Sequence, residues 1–362
     1  MRIAKSVREL EAYTPGEQPK AKCVVKLNTN ENPYPPSPKC AQALGGFDLD
    51  RLRRYPDPVF SELRTRIAKI WKTSPECVFV GNGSDEILTL AARAFVEDDE
   101  AIGSLDPSYS LYRTLADIRN VQFVPTALNA DFTWDGKITV RSPQKDADRP
   151  SGGEVALFLL TNPNAPTGVS TPVDTVARAA KRFKGVVVVD EAYADFARAN
   201  CVKLATDSKN RNVIVMRTFS KSFSLAGLRV GYCIGPKDLI DALYKVKDSY
   251  NVDAVAQAVA LAALNDLQCM RTNARKVVRT RTRLAKELAR RGWDVPPSES
   301  NFLFARPAGM AADRLFDALR RRNIFVRYFK GPRTGDRIRI SIGTDEQMDA
   351  LLKAIDDIEK AD

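Results

Sequence analysis

Four consecutive valines followed by an acid, in GVVVVDEAY (185–193), are the feature that most narrows what this chain can fold into. Valine is stiff at χ1 and suits a pleated surface. An unbroken run of it, with no polar alternation, predicts a strand covered on both faces. Similar runs recur in EVALFLLTNPN (154–164) and NVIVMRTFSK (212–221). Segments of helical period lie along the same stretch of chain: VFSELRTRIAKIW, SDEILTLAARAFV and VDTVARAAKRF. Covered strands alternating with helices predict an α/β fold, a mostly parallel sheet sandwiched by helices.

The alternation does not extend over the whole chain. Residues 1–40 are rich in Pro and Asn and read as an extended N-terminal arm. Residues 41–250 carry the strand–helix rhythm and read as a large domain. A long helical stretch from about Asp253 to Arg291 breaks it. With NFLFARP, MAADRLFDALRRRNIFVRYF, RIRISIG and EQMDALLKAIDDI, residues 251–362 read as a smaller α+β C-terminal domain.

Composition removes whole classes of chemistry. The 362 residues include no histidine. Ser-His-Asp and Cys-His catalysis are therefore excluded, and the commonest metal ligand is missing. Acid–base work falls to Lys, Tyr, Asp, Glu or a cofactor. The six cysteines are scattered, with no C-x-x-C pair, which argues for reduced thiols rather than a disulfide frame or zinc site. No apolar run approaches the roughly 20 residues that cross a bilayer, and the N-terminus lacks a signal peptide's apolar core. We read the protein as cytoplasmic. The net charge is +11, densest in RTNARKVVRTRTRLAKELARRGW (271–293). Val277, Val278, Leu284 and Leu288 recur there near helical spacing, so the run reads as the solvated face of an amphipathic helix rather than a nucleic-acid surface.

Four strand-like runs end in polar residues, and in open parallel sheets ligands sit beyond the carboxyl ends of the strands. Gly83, Ser84 and Asp85 open a helix, where free N–H groups suit a phosphate. Asn162 ends a second run, Asp190 and Tyr193 a third, Ser220 and Lys221 a fourth. Taken singly, each has a plainer reading: an N-cap, a capped or paired acid, a surface lysine, an ion-paired Arg229. Taken together they offer an amine nucleophile, an aspartate for a pyridinium nitrogen, a phenol and an amide for a ring oxygen, and a phosphate cup. Pyridoxal 5′-phosphate is the common cofactor that needs all of these.

On these segments, with AYTPGEQP, KLNTNENPYPPSP, RTFSKSFSLAGLRVGY and RIRISIGTDEQMDALLKAI, the chain resembles the fold-type I pyridoxal-phosphate aminotransferases. Among them it most resembles the histidinol-phosphate aminotransferase family, over nearly its whole length. The resemblance implies that Lys221 bears the cofactor and shuttles the proton, and that Asp190 pairs with the ring nitrogen. Asn162 and Tyr193 would bond the phenolic oxygen, and Tyr109 would stack on the ring. Ser84, Asp85, Ser220 and Arg229 would hold the phosphate. Tyr55 would reach the cofactor of a second subunit, making the active unit a homodimer. Arg339 would take the α-carboxylate of glutamate, while Tyr13 and Arg327 would serve the histidinol phosphate group. Asn30 and Glu31 lie where the arm closes over substrate, and Tyr250 and Asn251 line the site in similar proteins. Two segments depart from the family's wording. Ala165 stands where a second adjacent asparagine is usual, with Asn162 intact, and YFKGPRTGD follows Arg327. The implied reaction moves an amino group between histidinol phosphate and 2-oxoglutarate in histidine biosynthesis. The rivals on the same scaffold are an aromatic amino-acid aminotransferase and a threonine-phosphate decarboxylase.

Overall fold

The computed structural model describes residues 3, 5–8, 10, 17–19, 24–141 and 153–360. Twelve strands occur in it. β1 is Val25–Lys26, β2 Val78–Gly81, β3 Ala101–Asp106, β4 Gln122–Ala127, β5 Val155–Thr161 and β6 Val186–Asp190. β7 is Val213–Thr218, β8 Gly231–Ile234, β9 Phe302–Ala305, β10 Ile324–Phe325, β11 Arg327–Tyr328 and β12 Ile338–Ser341. Seven of them form one sheet in the order β2-β8-β7-β6-β5-β3-β4. Only β8 runs against its neighbours. The remaining pairs are parallel.

The valine run shows why this sheet needs two covers. Val187 and Val189 point into a core shared with helices Ser61–Trp71, Val173–Arg182 and Ala254–Leu264. Val188 points to the other face, against helices Gly83–Ala94, Leu111–Arg119 and Lys237–Val246. Side chains alternate across a strand, so a strand apolar at every position must be buried twice. β1 pairs in parallel with β10, and β11-β12-β9 make a small antiparallel sheet with a core of its own.

The long helical stretch is two helices, Ala254–Leu264 and Leu267–Arg290, separated where Asp266 caps the second through the Cys269 N–H. Ala256, Val259, Ala260, Ala263 and Leu264 of the first lie in the large core. Val277, Leu284 and Leu288 of the second lie in the small one. The change of core thus falls within the second helix, whose Leu267 and Met270 still pack against the large core. The basic run sits on the second helix, with Ala274, Val277, Arg281, Leu284 and Leu288 inward and Arg275, Arg279 and Arg290 outward. Among the described residues no helix is long and apolar enough to cross a membrane, and no cluster of side chains could hold a metal ion.

Candidate active site

The carboxyl ends of β5, β6 and β7 open into a cavity of about 290 Å³ between the two cores. It is lined by Asn30, Glu31, Ser84, Asp85, Tyr109, Asp190, Tyr193, Ser220, Lys221, Arg229, Arg327 and Arg339, with Thr161 and Ala165. Residues from four strand tips, the arm and the small sheet meet there, with Thr161 rather than Asn162 at the β5 tip.

Lys221 leaves β7 three residues past its end and is enclosed. Its Nζ donates to the Thr29 carbonyl at 3.2 Å and lies 5.9 Å from the centre of the Tyr193 ring. Burial, with Arg339 nearby, lowers its pKa to about 8, against the opposing pull of Glu31 and Asp85. Near neutrality a useful fraction of the amine is therefore uncharged and nucleophilic.

Asp190 ends β6 and is 5% exposed. Tyr112 Oη donates to its Oδ2 at 2.9 Å, and the Ala192 N–H donates to its Oδ1 at 3.1 Å. Among the described residues no cationic side chain bonds it. Burial raises its pKa to about 6, against those two hydrogen bonds. A buried carboxylate held by neutral donors and facing a cavity suits a bound cation, which the ring nitrogen of pyridoxal phosphate would supply.

The phosphate end is built by close approach. Gly83 has φ +79°, and a Cβ on it would stand 2.6 Å from Arg229 Nη2. Only glycine lets this guanidinium lie against the start of helix Gly83–Ala94. Arg229 Nη1 donates to Ser220 Oγ at 3.3 Å, and Nη2 stands 3.5 Å from Asp85. A helix N-terminus, two hydroxyls and a guanidinium converge, the donor set a phosphate takes.

Tyr193 carries the opposite wall. Asn30, at φ +55° and 1% exposed, donates through Nδ2 to Tyr193 Oη at 3.0 Å. Its Oδ1 and N–H both meet Ser341 Oγ, and its carbonyl accepts from Asn301. The Tyr193 hydroxyl accepts from Asn30 and so keeps its own proton for the cavity. Glu31 is ion-paired with Lys26, which with Thr29 and Lys221 draws its pKa down despite partial burial.

Three residues expected in this cavity, Asn162, Tyr250 and Asn251, are placed elsewhere. The Asn162 amide closes a ring with the Thr171 backbone, donating to its carbonyl at 3.0 Å and accepting from its N–H at 2.8 Å. It does not line the cavity; Ala165, further along the same loop, does. The expected amide for a ring oxygen is thus a methyl group. Tyr250 stacks on Tyr55 with centroids 4.3 Å apart, both largely exposed and outside the cavity. Asn251 Nδ2 is bonded to Glu86 at 2.7 Å. Tyr13 lies outside the described residues.

Other contributors escaped sequence reading. Tyr112, three residues after Tyr109, also meets Thr161 Oγ1 at 2.6 Å, so a hydroxyl chain backs Asp190. Two adjacent tyrosines at that spacing were the available signal. Asn32 Nδ2 donates to the carbonyls of Lys221 and Ser222, at 3.1 and 3.3 Å. Beneath them Arg217, 4% exposed, pairs with Glu191 at 2.7 Å and with Asp195, to which Ser222 also donates. This buried cluster braces the loop that presents the lysine.

Residues 22–355 match the family described as "Aminotransferase class I and II". The curated "Histidinol-phosphate aminotransferase" of Syntrophotalea carbinolica is 42% identical over 357 residues, 98% of this chain and 99% of that protein. The chain belongs to the histidinol-phosphate aminotransferase family. "Histidinol-phosphate aminotransferase 1" of a Nostoc species is 40% identical over 98% of this chain and 97% of its own. The fold agrees with the family: a histidinol-phosphate aminotransferase structure from Sinorhizobium meliloti, in complex with pyridoxal-5′-phosphate, superposes with a TM-score of 0.85. It is 24% identical and covers 99% of this chain and 98% of that one.

Proposed function

We propose that this enzyme transfers an amino group between histidinol phosphate and 2-oxoglutarate, giving imidazole-acetol phosphate and glutamate, with pyridoxal 5′-phosphate as cofactor. One arrangement carries the reading: an amine and a carboxylate, Lys221 and Asp190, line one cavity with two arginines, Arg327 and Arg339, set opposite each other in a hairpin. The curated relatives share the activity by name at about 40% identity over nearly the full chain. When bound, the cofactor supplies a carbonyl that takes up an amino group and a ring that withdraws electrons from the adjacent carbon.

This chain's residues would then divide the work. Lys221 would hold the cofactor, and its free amine would receive and return the proton at the substrate Cα. Its lowered pKa suits both halves of that task. Asp190 keeps the ring nitrogen protonated, with Tyr112 fixing the carboxylate. Tyr193 donates to the phenolic oxygen without help from Asn162, its direction set by Asn30. Ser84, Ser220 and Arg229 hold the cofactor phosphate. Arg339 takes the α-carboxylate of glutamate and Arg327 the phosphate of the other substrate. We infer a homodimer, because Tyr55 lies exposed and outside this chain's cavity, beside exposed Leu49, Leu52 and Tyr250. In it Tyr55 would serve the neighbouring subunit's site.

The deciding experiment follows the visible absorption of the purified holoenzyme on titration with histidinol phosphate, phenylalanine and threonine phosphate. It is coupled to glutamate formation from 2-oxoglutarate. Saturable conversion by histidinol phosphate at the lowest concentration is expected. Preference for phenylalanine, or carbon dioxide release from threonine phosphate, would replace the assignment.

A further inference from the structure

The two arginines of the β11–β12 hairpin face each other in register, on strands with different neighbours. Arg339 lies on β12, which also pairs with β9, and its Nη2 donates to the Asn28 carbonyl at 2.9 Å. Arg327 lies on β11, a two-residue strand at the edge of the sheet. Edge strands are paired along one side only and so are the less constrained. Both guanidiniums lie over the Phe329 ring, at 5.4 and 5.2 Å. The ring that both guanidiniums share thus belongs to the segment leaving β11.

That segment is hydrogen-bonded to the other half of the molecule through Arg333. Arg333 Nη1 donates to the Leu128 carbonyl at 2.8 Å and to the Asp106 carbonyl at 3.2 Å. Its Nη2 donates to the Asn129 carbonyl at 2.6 Å. These acceptors lie at the carboxyl ends of β3 and β4, and Asp106 opens the turn that carries Tyr109 into the cavity. The guanidinium of Arg333 lies 5.4 Å from the centre of the Phe132 ring, and Arg337 lies 5.2 Å from the same ring. Phe132 meets Phe304 of β9 edge-on, with centroids 5.9 Å apart. The loop of the small sheet is thus bonded to the rim of the large one, beside the cavity mouth. A planar fork suits three carbonyls; an ammonium, a single point of charge, does not.

We propose that Arg333 is a positioning residue that sets Arg327 against the cofactor-binding half, and so governs the affinity for a phosphate at the end of the substrate remote from the amine. The inference rests on the reading that Arg327 takes that phosphate. Arg339, braced on both sides and by Asn28, does not depend on the clasp, so the carboxylate of glutamate is bound independently of it.

The test compares Arg333→Ala, Arg333→Lys and Arg327→Ala holoenzymes, each checked for an unchanged thermal midpoint. KM and kcat are measured separately for histidinol phosphate and for glutamate. Arg333→Ala raises the KM for histidinol phosphate about tenfold, the loss of roughly one charge-assisted hydrogen bond's worth of positioning. It leaves the KM for glutamate within about twofold and kcat nearly unchanged, since the reacting end is untouched. Arg333→Lys falls between, keeping the charge and losing the fork, and it serves as the readout if the alanine variant does not fold. Equal rises for both substrates, or none, would overturn the inference. If Arg327→Ala also spares histidinol phosphate, the reading of Arg327 fails with it. If Arg327→Ala impairs histidinol phosphate and Arg333→Ala does not, the clasp alone is refuted.

Discussion

Tyr112 donates to Asp190 across 2.9 Å, from helix Leu111–Arg119 to the end of β6. The phenol is fully enclosed and its own pKa is raised well above the usual range, first by burial and then by the neighbouring carboxylate. It therefore stays protonated and remains a donor.

Replacing Tyr112 with Phe keeps the ring and deletes that donor. Hydrogen bonds to charged groups contribute about 1.5–3 kcal/mol. The Asp190 pKa climbs above its present value near 6, and the cofactor, whose ring needs the ionised form, dissociates about tenfold more readily. Equilibrium dialysis of cofactor between pH 6 and 8 reads this directly. An unchanged dissociation constant across that range would show that Asp190 needs no such support.

Asp190 itself destabilises the protein stripped of cofactor. Its pKa rises from 3.8 unfolded to about 6 folded. A carboxyl shifted upward favours folding below its unfolded pKa, and that contribution is lost as pH rises through the folded value. At about 1.4 kcal/mol per unit the full shift corresponds to about 3 kcal/mol, of which about 2 kcal/mol is lost between pH 4 and pH 7. Asp190→Asn stripped protein is then more stable than wild type at pH 8, and the two converge near pH 4. Urea denaturation at both pH values measures the difference; with cofactor present the order reverses.

Cofactor uptake should depend on pH through Lys221. The neutral amine reacts, so the second-order rate of cofactor capture by stripped protein rises with pH and levels off above about 8. Arg339 is one of the groups that lower this pKa, and Arg339→Ala moves the midpoint upward. Stopped-flow absorption gives the profile, and a midpoint near 10.5 in wild type would mean that the enclosure has no such effect.

Asn162 and Tyr193 should part company. Asn162→Ala opens the ring with Thr171 and costs about 1 kcal/mol of stability, with cofactor affinity nearly unchanged. Tyr193→Phe leaves the fold intact, weakens the cofactor several-fold and shifts its visible band. Fluorescence-detected cofactor titration of both variants separates the two roles.

Much of this architecture is written in local pattern. Val186–Val189 announce a doubly covered strand because no side chain among them tolerates water, and Asp190 stands out by contrast with them. Lys221 between two serines past a strand end was legible for the same reason. What the sequence could not show is direction. Asn162 and Ala165 share one loop, and which of them faces the cavity depends on Asn162 closing onto Thr171 nine residues away. Tyr109 lies in the turn before helix Leu111–Arg119 and Tyr112 in its first turn, and only the packing of that helix decides which is enclosed behind Asp190 and which enters the cleft. Arg333 sits in a loop with no periodicity at all, and its partners are more than two hundred residues distant.

The pairing of β1 with β10, and the bond from Asn30 to Ser341 across 311 residues of sequence, set an order on manufacture. A ribosome releases this arm about 300 residues before the segment that receives it. At about 5–20 residues per second, the arm waits some 15–60 seconds for its place. For the last third of that interval, once Lys221 itself has been made, the nascent chain carries its amine without the Thr29 carbonyl and the Asn32 side chain that the docked arm supplies.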